Sequence, residues 1–68
     1  MMPSPADLSY FAEVATTLNV SRAAERLGIS QPSLSLAMQR LEDSVGVGLL
    51  VRSKRGVTLT PAGKQLPA

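Results

Sequence analysis

Gln31, Ser33 and Ser35 stand at alternating positions next to Ser30 and Pro32, while Arg52, Lys54 and Arg55 crowd into four consecutive residues. These side chains offer the chemistry of recognition. A glutamine amide presents a donor and an acceptor together, the pattern that matches the N7 and amino group of adenine. Serine hydroxyls serve base edges or phosphate oxygens, and clustered cationic groups attract polyanions such as nucleic acid or acidic lipid. On charge alone, a solvated basic loop is the competing reading. Catalytic chemistry has no comparable foothold. The 68 residues include no Cys and no His, which removes disulfides, thiolates, Cys/His zinc sites and Ser-His or Cys-His nucleophiles. No group is left to titrate near neutrality in a pocket, so no enzyme activity, cofactor or metal is expected.

A chain of this length forms one small domain, burying only about 60% of the surface its unfolded form exposes. Hydrophobic residues make up 44% of it and charged residues 18%, with one Tyr, one Phe and no Trp. That composition is globular with an aliphatic core. The net charge of +2 conceals an asymmetry. Residues 1–49 carry Arg22, Arg26 and Arg40 against Asp7, Glu13, Glu25, Glu42 and Asp43, a net of −2. Residues 50–68 carry Arg52, Lys54, Arg55 and Lys64 with no acid, a net of +4. No apolar run approaches the roughly 20 residues that span a bilayer, and no basic stretch precedes a hydrophobic one at the N-terminus. A soluble, intracellular, cytoplasmic protein is expected.

The elements that must hold these groups follow from caps and periodicity. Ser4-Pro5-Ala6-Asp7 reads as an N-cap, a first-position proline and an acid that accepts first-turn N–H groups. Leu8, Phe11, Ala15 and Leu18 give the helix from Pro5 to Thr17 one apolar face. Ser21 is the expected cap of a short second helix, Arg22 to Leu27, with Ala23, Ala24 and Leu27 inward. Gly28 then supplies the left-handed turn residue and Ile29 its apolar anchor. Ser30 caps a third helix over 31–45, whose stripe of Leu34, Met38, Leu41 and Val45 faces the core until Gly46 ends it. Pro32, Ser35, Leu36, Gln39 and Arg40 fall on the opposite half. Beyond Gly46, Val47–Val51 and Val57–Leu59 read as two strands joined by a basic tip over 52–56. Thr60-Pro61 opens a fourth helix of barely two turns, stopped by Pro67 and the chain end.

Two helices joined by a glycine turn, the second capped and polar on its outer face, make a helix-turn-helix unit. Ala24, Gly28 and Leu34 supply the close crossing, the turn and the packing. A helix of this kind fits the major groove, with its N-terminus toward phosphate. Gln31, Ser33 and Ser35 then meet base edges. Arg40 neutralises phosphate, and Arg52, Lys54 and Arg55 reach the neighbouring minor groove. Ser21 and Ser30 are helix caps with phosphate contact as a second role, and Gln39 lies further along the same face. Arg22 and Arg26 either reach phosphate or pair with Glu25, and Arg52 either meets phosphate or bonds loop carbonyls.

From Leu8 to Gly63 the chain resembles the N-terminal winged helix-turn-helix domain of the LysR-type transcriptional regulators. The resemblance is carried by Leu8-Ser9-Tyr10-Phe11, by Ser21-Arg22-Ala23-Ala24-Glu25-Arg26-Leu27, by Ser30-Gln31-Pro32-Ser33-Leu34-Ser35 and by Leu41-Glu42. In the wing it is carried by Gly46-Val47, Leu49-Leu50, Arg52, Arg55-Gly56-Val57 and Leu59-Thr60-Pro61-Ala62-Gly63. It implies a mainly α domain: three helices, a two-stranded β-hairpin wing and, over 61–68, the truncated start of a linker helix. It also implies that Gln31, Pro32, Ser33 and Ser35 meet the major groove of double-stranded DNA at an interrupted inverted repeat, with the wing cations near the minor groove.

Leu36 departs from the family pattern, which favours a polar or basic residue there. A leucine either touches a thymine methyl or is one more exposed apolar side chain. The linker helix that pairs subunits into dimers or tetramers, and the effector-binding domain after it, do not follow in this sequence. The chain is accordingly expected to be an excised or truncated domain, monomeric or weakly dimeric. The competing function is a winged-helix protein-interaction module without DNA, which would leave the basic tip without a polyanion. A membrane-surface role would need a helix with a basic polar face, and no segment has one.

Overall fold

Four side-chain oxygens start the four helices, as seen in a computed structural model that describes residues 3–66. Ser4 Oγ accepts from the N–H of Ala6 (3.2 Å) and opens α1, Pro5–Thr17. Asn19 Oδ1 accepts from the N–H of Arg22 (3.0 Å) and opens α2, Val20–Leu27. Ser30 Oγ accepts from the N–H of Ser33 (3.2 Å) and opens α3, Gln31–Val45. Thr60 Oγ1 accepts from the N–H of Gly63 (3.0 Å) and opens α4, Pro61–Gln65. Each cap satisfies an N–H that has no partner inside its helix. Pro67, expected to stop α4, lies outside the described residues.

Two expectations are corrected here. The cap of α2 is Asn19, not Ser21, because starting the helix at Val20 buries that valine to 7% exposure and leaves Ser21 in solvent. Leu18 does not continue the inner face of α1. It adopts φ 54°, a left-handed backbone that ends the helix and turns its side chain outward, and Val14 fills the core in its place.

Gly28, at φ 71°, closes α2. Its own N–H reaches the carbonyl of Glu25 (3.2 Å), and that of Ile29 reaches the carbonyl of Ala24 (3.1 Å). This paired bond is the Schellman ending, which needs the left-handed residue that glycine adopts without a Cβ clash. It fixes the turn between α2 and α3. The core gathers Phe11 and Val14 from α1, Ala23 and Ala24 from α2, and Leu34, Ala37, Met38 and Leu41 from α3. Val45, half-buried, packs against this core at the end of the α3 stripe, and fully buried Ala37 joins the stripe.

The hairpin pairs β1, Leu50–Ser53, with β2, Gly56–Leu59, in antiparallel register from Leu50 opposite Leu59 to Ser53 opposite Gly56. Residues 47–49 are not strand, contrary to expectation. The Leu49 carbonyl still accepts from the backbone N–H of Thr60 (3.0 Å), but side chains take neighbouring backbone groups. Glu42 Oε2 accepts from the N–H groups of Leu49 (2.6 Å) and Leu50 (3.1 Å), and the Thr60 hydroxyl donates to the carbonyl of Gly48 (2.7 Å). Arg52 and Ser53 belong to β1, which narrows the tip to Lys54 and Arg55. Buried Leu49 plugs the hairpin base, where Gly63 lies so close to the Leu49 carbonyl that any Cβ would collide with it. The result is mainly α: three helices in helix-turn-helix arrangement, a two-stranded wing and a short fourth helix. No helix among the described residues is long and apolar enough to cross a membrane.

Candidate nucleic-acid interface

Capping by Ser30 and inward packing of Leu34, Met38 and Leu41 leave the opposite side of α3 facing outward. Gln31, Pro32, Ser33, Leu36, Gln39 and Arg40 are exposed there, and Ser35 is half-buried. Gln31 Nε2 donates to Ser35 Oγ across one helical turn (3.0 Å), which restrains the amide and leaves its carbonyl oxygen without a partner among the described residues. Ser30 Oγ donates to Ser33 Oγ (2.8 Å), tying the capping hydroxyl to the second serine.

The hairpin folds back so that Arg52 of β1 faces this surface. Gln31, Pro32, Ser35, Leu36, Gln39 and Arg52 line one open groove together with Glu42, whose carboxylate is engaged by the N–H groups of Leu49 and Leu50. Ser33 lies on the other flank of α3, toward Tyr10 and Ile29. A second concavity sets Asn19 and Ser21, at the start of α2, opposite the hairpin tip of Lys54 and Arg55. The expected contact residues thus fall into a recognition groove, a cationic corner and, with Ser30, Ser33 and Arg40, the far flank of α3, and Arg52 borders the first two.

Electrostatics separates the cations further. Arg22, Arg52, Lys54 and Arg55 are exposed and form no salt bridge among the described residues. Arg26 is paired, though its partner is Glu13 of α1 (2.9 Å) and not Glu25. Arg40 grips Asp7: Nη2 to Oδ1 is 3.2 Å and Nε to Oδ2 is 3.4 Å. Among the described residues Asp7 accepts from Arg40 and not, as expected, from first-turn N–H groups. Its side chain is 8% exposed and stays in the interior because a guanidinium from α3 satisfies the carboxylate. The outer edge of Arg40 remains open, since its side chain is 62% exposed. Sequence reasoning missed both Asp7 and Glu42 as positioning residues. Asp7 ties α1 to α3, and Glu42 ties α3 to the wing.

A groove of hydrogen-bonding side chains beside unpaired cations can engage the edges of stacked bases and the phosphates that flank them. Known proteins share this fold. The family model for bacterial regulatory helix-turn-helix proteins of the lysR family matches residues 5–64. The Hca operon transcriptional activator HcaR of Escherichia coli (strain K12) is 60% identical over 57 residues, covering 84% of this chain and 19% of that protein. The oxidized form of Corynebacterium glutamicum OxyR superposes with a TM-score of 0.93 at 45% identity, covering 97% of this chain and 21% of that one. The crystal structure of a CbnR_DBD–DNA complex superposes with a TM-score of 0.84 at 49% identity, covering 87% and 68%. The chain spans about a fifth of the length of the curated relatives it matches. With the family model matched from the first residue of α1 into α4, and the wing and recognition helix sharing its fold, the chain belongs to the LysR family of bacterial regulatory helix-turn-helix proteins.

Proposed function

We propose that this chain binds double-stranded DNA sequence-specifically in transcription regulation, with α3 in the major groove and the hairpin at the neighbouring minor groove. The supporting observation is the single groove in which Gln31, Pro32, Ser35, Leu36, Gln39 and Arg52 converge next to unpaired Lys54 and Arg55. In this reading Gln31, Pro32, Ser33, Ser35 and Leu36 meet bases. Ser21, Arg22, Ser30, Gln39, Arg52, Lys54 and Arg55 meet phosphate or the minor-groove edge. Arg40 shares its guanidinium between Asp7 and a phosphate, and contributes less than an unpaired arginine.

The same reading extends to the parent protein. Two copies present two recognition helices about one DNA turn apart to an interrupted inverted repeat, within a homodimer or tetramer. A small-molecule effector binds a part of the parent beyond these residues. The work is done where bacterial DNA lies, in the cytoplasm.

Salt dependence tests the proposal. With Arg22, Arg52, Lys54 and Arg55 each neutralising one phosphate, log K should fall linearly against log salt with a slope of about −3 to −4. Fluorescence anisotropy of a labelled duplex across a salt series reads it directly. A flat slope would overturn the proposal and favour the protein-interaction module.

A further inference from the structure

One residue in the recognition groove differs in kind from its neighbours. Leu36 is 57% exposed, more than Leu18, Val47 or Val51, the other large hydrophobic residues left in solvent. Packing does not require it, because Leu34, Met38 and Leu41 complete the buried side of α3 without it. A lone exposed leucine is ordinary on a protein surface. This one stands between two concavities: Gln31, Ser35, Gln39, Glu42 and Arg52 lie on one side, where Pro32 four residues earlier extends its apolar strip, and Tyr10, Ile29 and Ser33 lie on the other. The Gln31 amide is drawn to Ser35, so the hydrogen-bonding and apolar groups stand side by side.

A duplex offers one main apolar group to a side chain in its major groove, the C5-methyl of thymine. 5-Methylcytosine carries the same methyl at the same ring position. Resting on the DNA-binding reading above, we propose that Leu36 is a specificity-determining residue that reads a pyrimidine C5-methyl group beside the base met by Gln31. The domain thereby favours thymine or 5-methylcytosine over uracil or cytosine at that step.

The test begins with selection of the intact 68-residue chain on a randomised duplex library. Each thymine of the enriched sequence is then replaced, one at a time, by deoxyuridine, which removes only the methyl. At one thymine in each half-site, the wild-type chain should lose about fourfold in affinity, the worth of one buried methyl. Leu36→Ala and Leu36→Gln should bind the thymine and deoxyuridine duplexes equally. Both changes sit on an exposed position, and an unaltered circular dichroism spectrum establishes that they fold. A cytosine–guanine pair at the same step should bind more tightly once the cytosine is methylated, by a similar factor and only in the wild type.

Methyl sensitivity that persists in both Leu36 variants, or no sensitive thymine, would overturn the assignment while leaving DNA binding intact. A deoxyuridine effect without a 5-methylcytosine effect would overturn the 5-methylcytosine half and confine the reading to thymine. Failure to enrich any sequence would overturn the DNA-binding reading, and this inference with it.

Discussion

The amide of Gln31 is held by Ser35 before any ligand arrives, so its remaining donor and its carbonyl are displayed in a restricted orientation. Such restraint favours discrimination over plain adhesion. Gln31→Ala should therefore reduce the preference for one base pair by roughly 1–3 kcal/mol, whereas Arg55→Ala should weaken binding to all sequences about equally. Competition of cognate against scrambled duplexes separates the two effects. Equal losses on both duplexes for Gln31→Ala would remove it from the specificity set. At this scale the sequence showed which of these side chains share a helix face, though not that Ser33 turns to the other flank. Gln31, Ser35 and Leu36 share one groove, as helical spacing requires. Arg40 was less readable, because its partner Asp7 is 33 residues distant and nothing local announces a carboxylate that crosses from another helix.

Helix boundaries follow from capping chemistry, and here α1 and α3 run over the residues their Ser-Pro signals mark. The start of α2 was misplaced at Ser21, although asparagine caps a helix as well as serine does. What decided it was tertiary: Val20 gains burial when Asn19 caps, and burying a valine outweighs the small difference between two capping side chains. Asn19→Ala should cost about 1 kcal/mol of stability, while Ser21→Ala should cost nearly nothing. Thermal unfolding followed by circular dichroism distinguishes them, and equal shifts would contradict the Asn19 cap. Strand limits were less legible for a related reason. The short apolar run from Val47 to Val51 resembles a strand, yet the Glu42 carboxylate takes the N–H groups of Leu49 and Leu50 and the Thr60 hydroxyl takes the carbonyl of Gly48. A glutamate at the end of a recognition helix looks, in sequence, like any solvated charge.

A domain of this size has a total stability of roughly 3–10 kcal/mol, so single connections between its parts matter. Glu42 is one of these, because it joins the last turn of α3 to the foot of the wing. Glu42→Ala would leave two backbone N–H groups without their acceptor and should cost about 2 kcal/mol. Amide hydrogen exchange should quicken in residues 50–53 while the core of α1 to α3 keeps its protection, and unchanged exchange in the hairpin would refute the connection. On the opposite strand the wing is held again, where the N–H of Val57 donates to the carbonyl of Leu18 (3.2 Å). Because each strand of the hairpin is fastened to a different part of the helical body, the two groove-reading parts approach a duplex with their spacing already set. Little freedom of motion is surrendered at the encounter, and operator geometry is dictated by the stiffness of the protein instead of being adapted after contact.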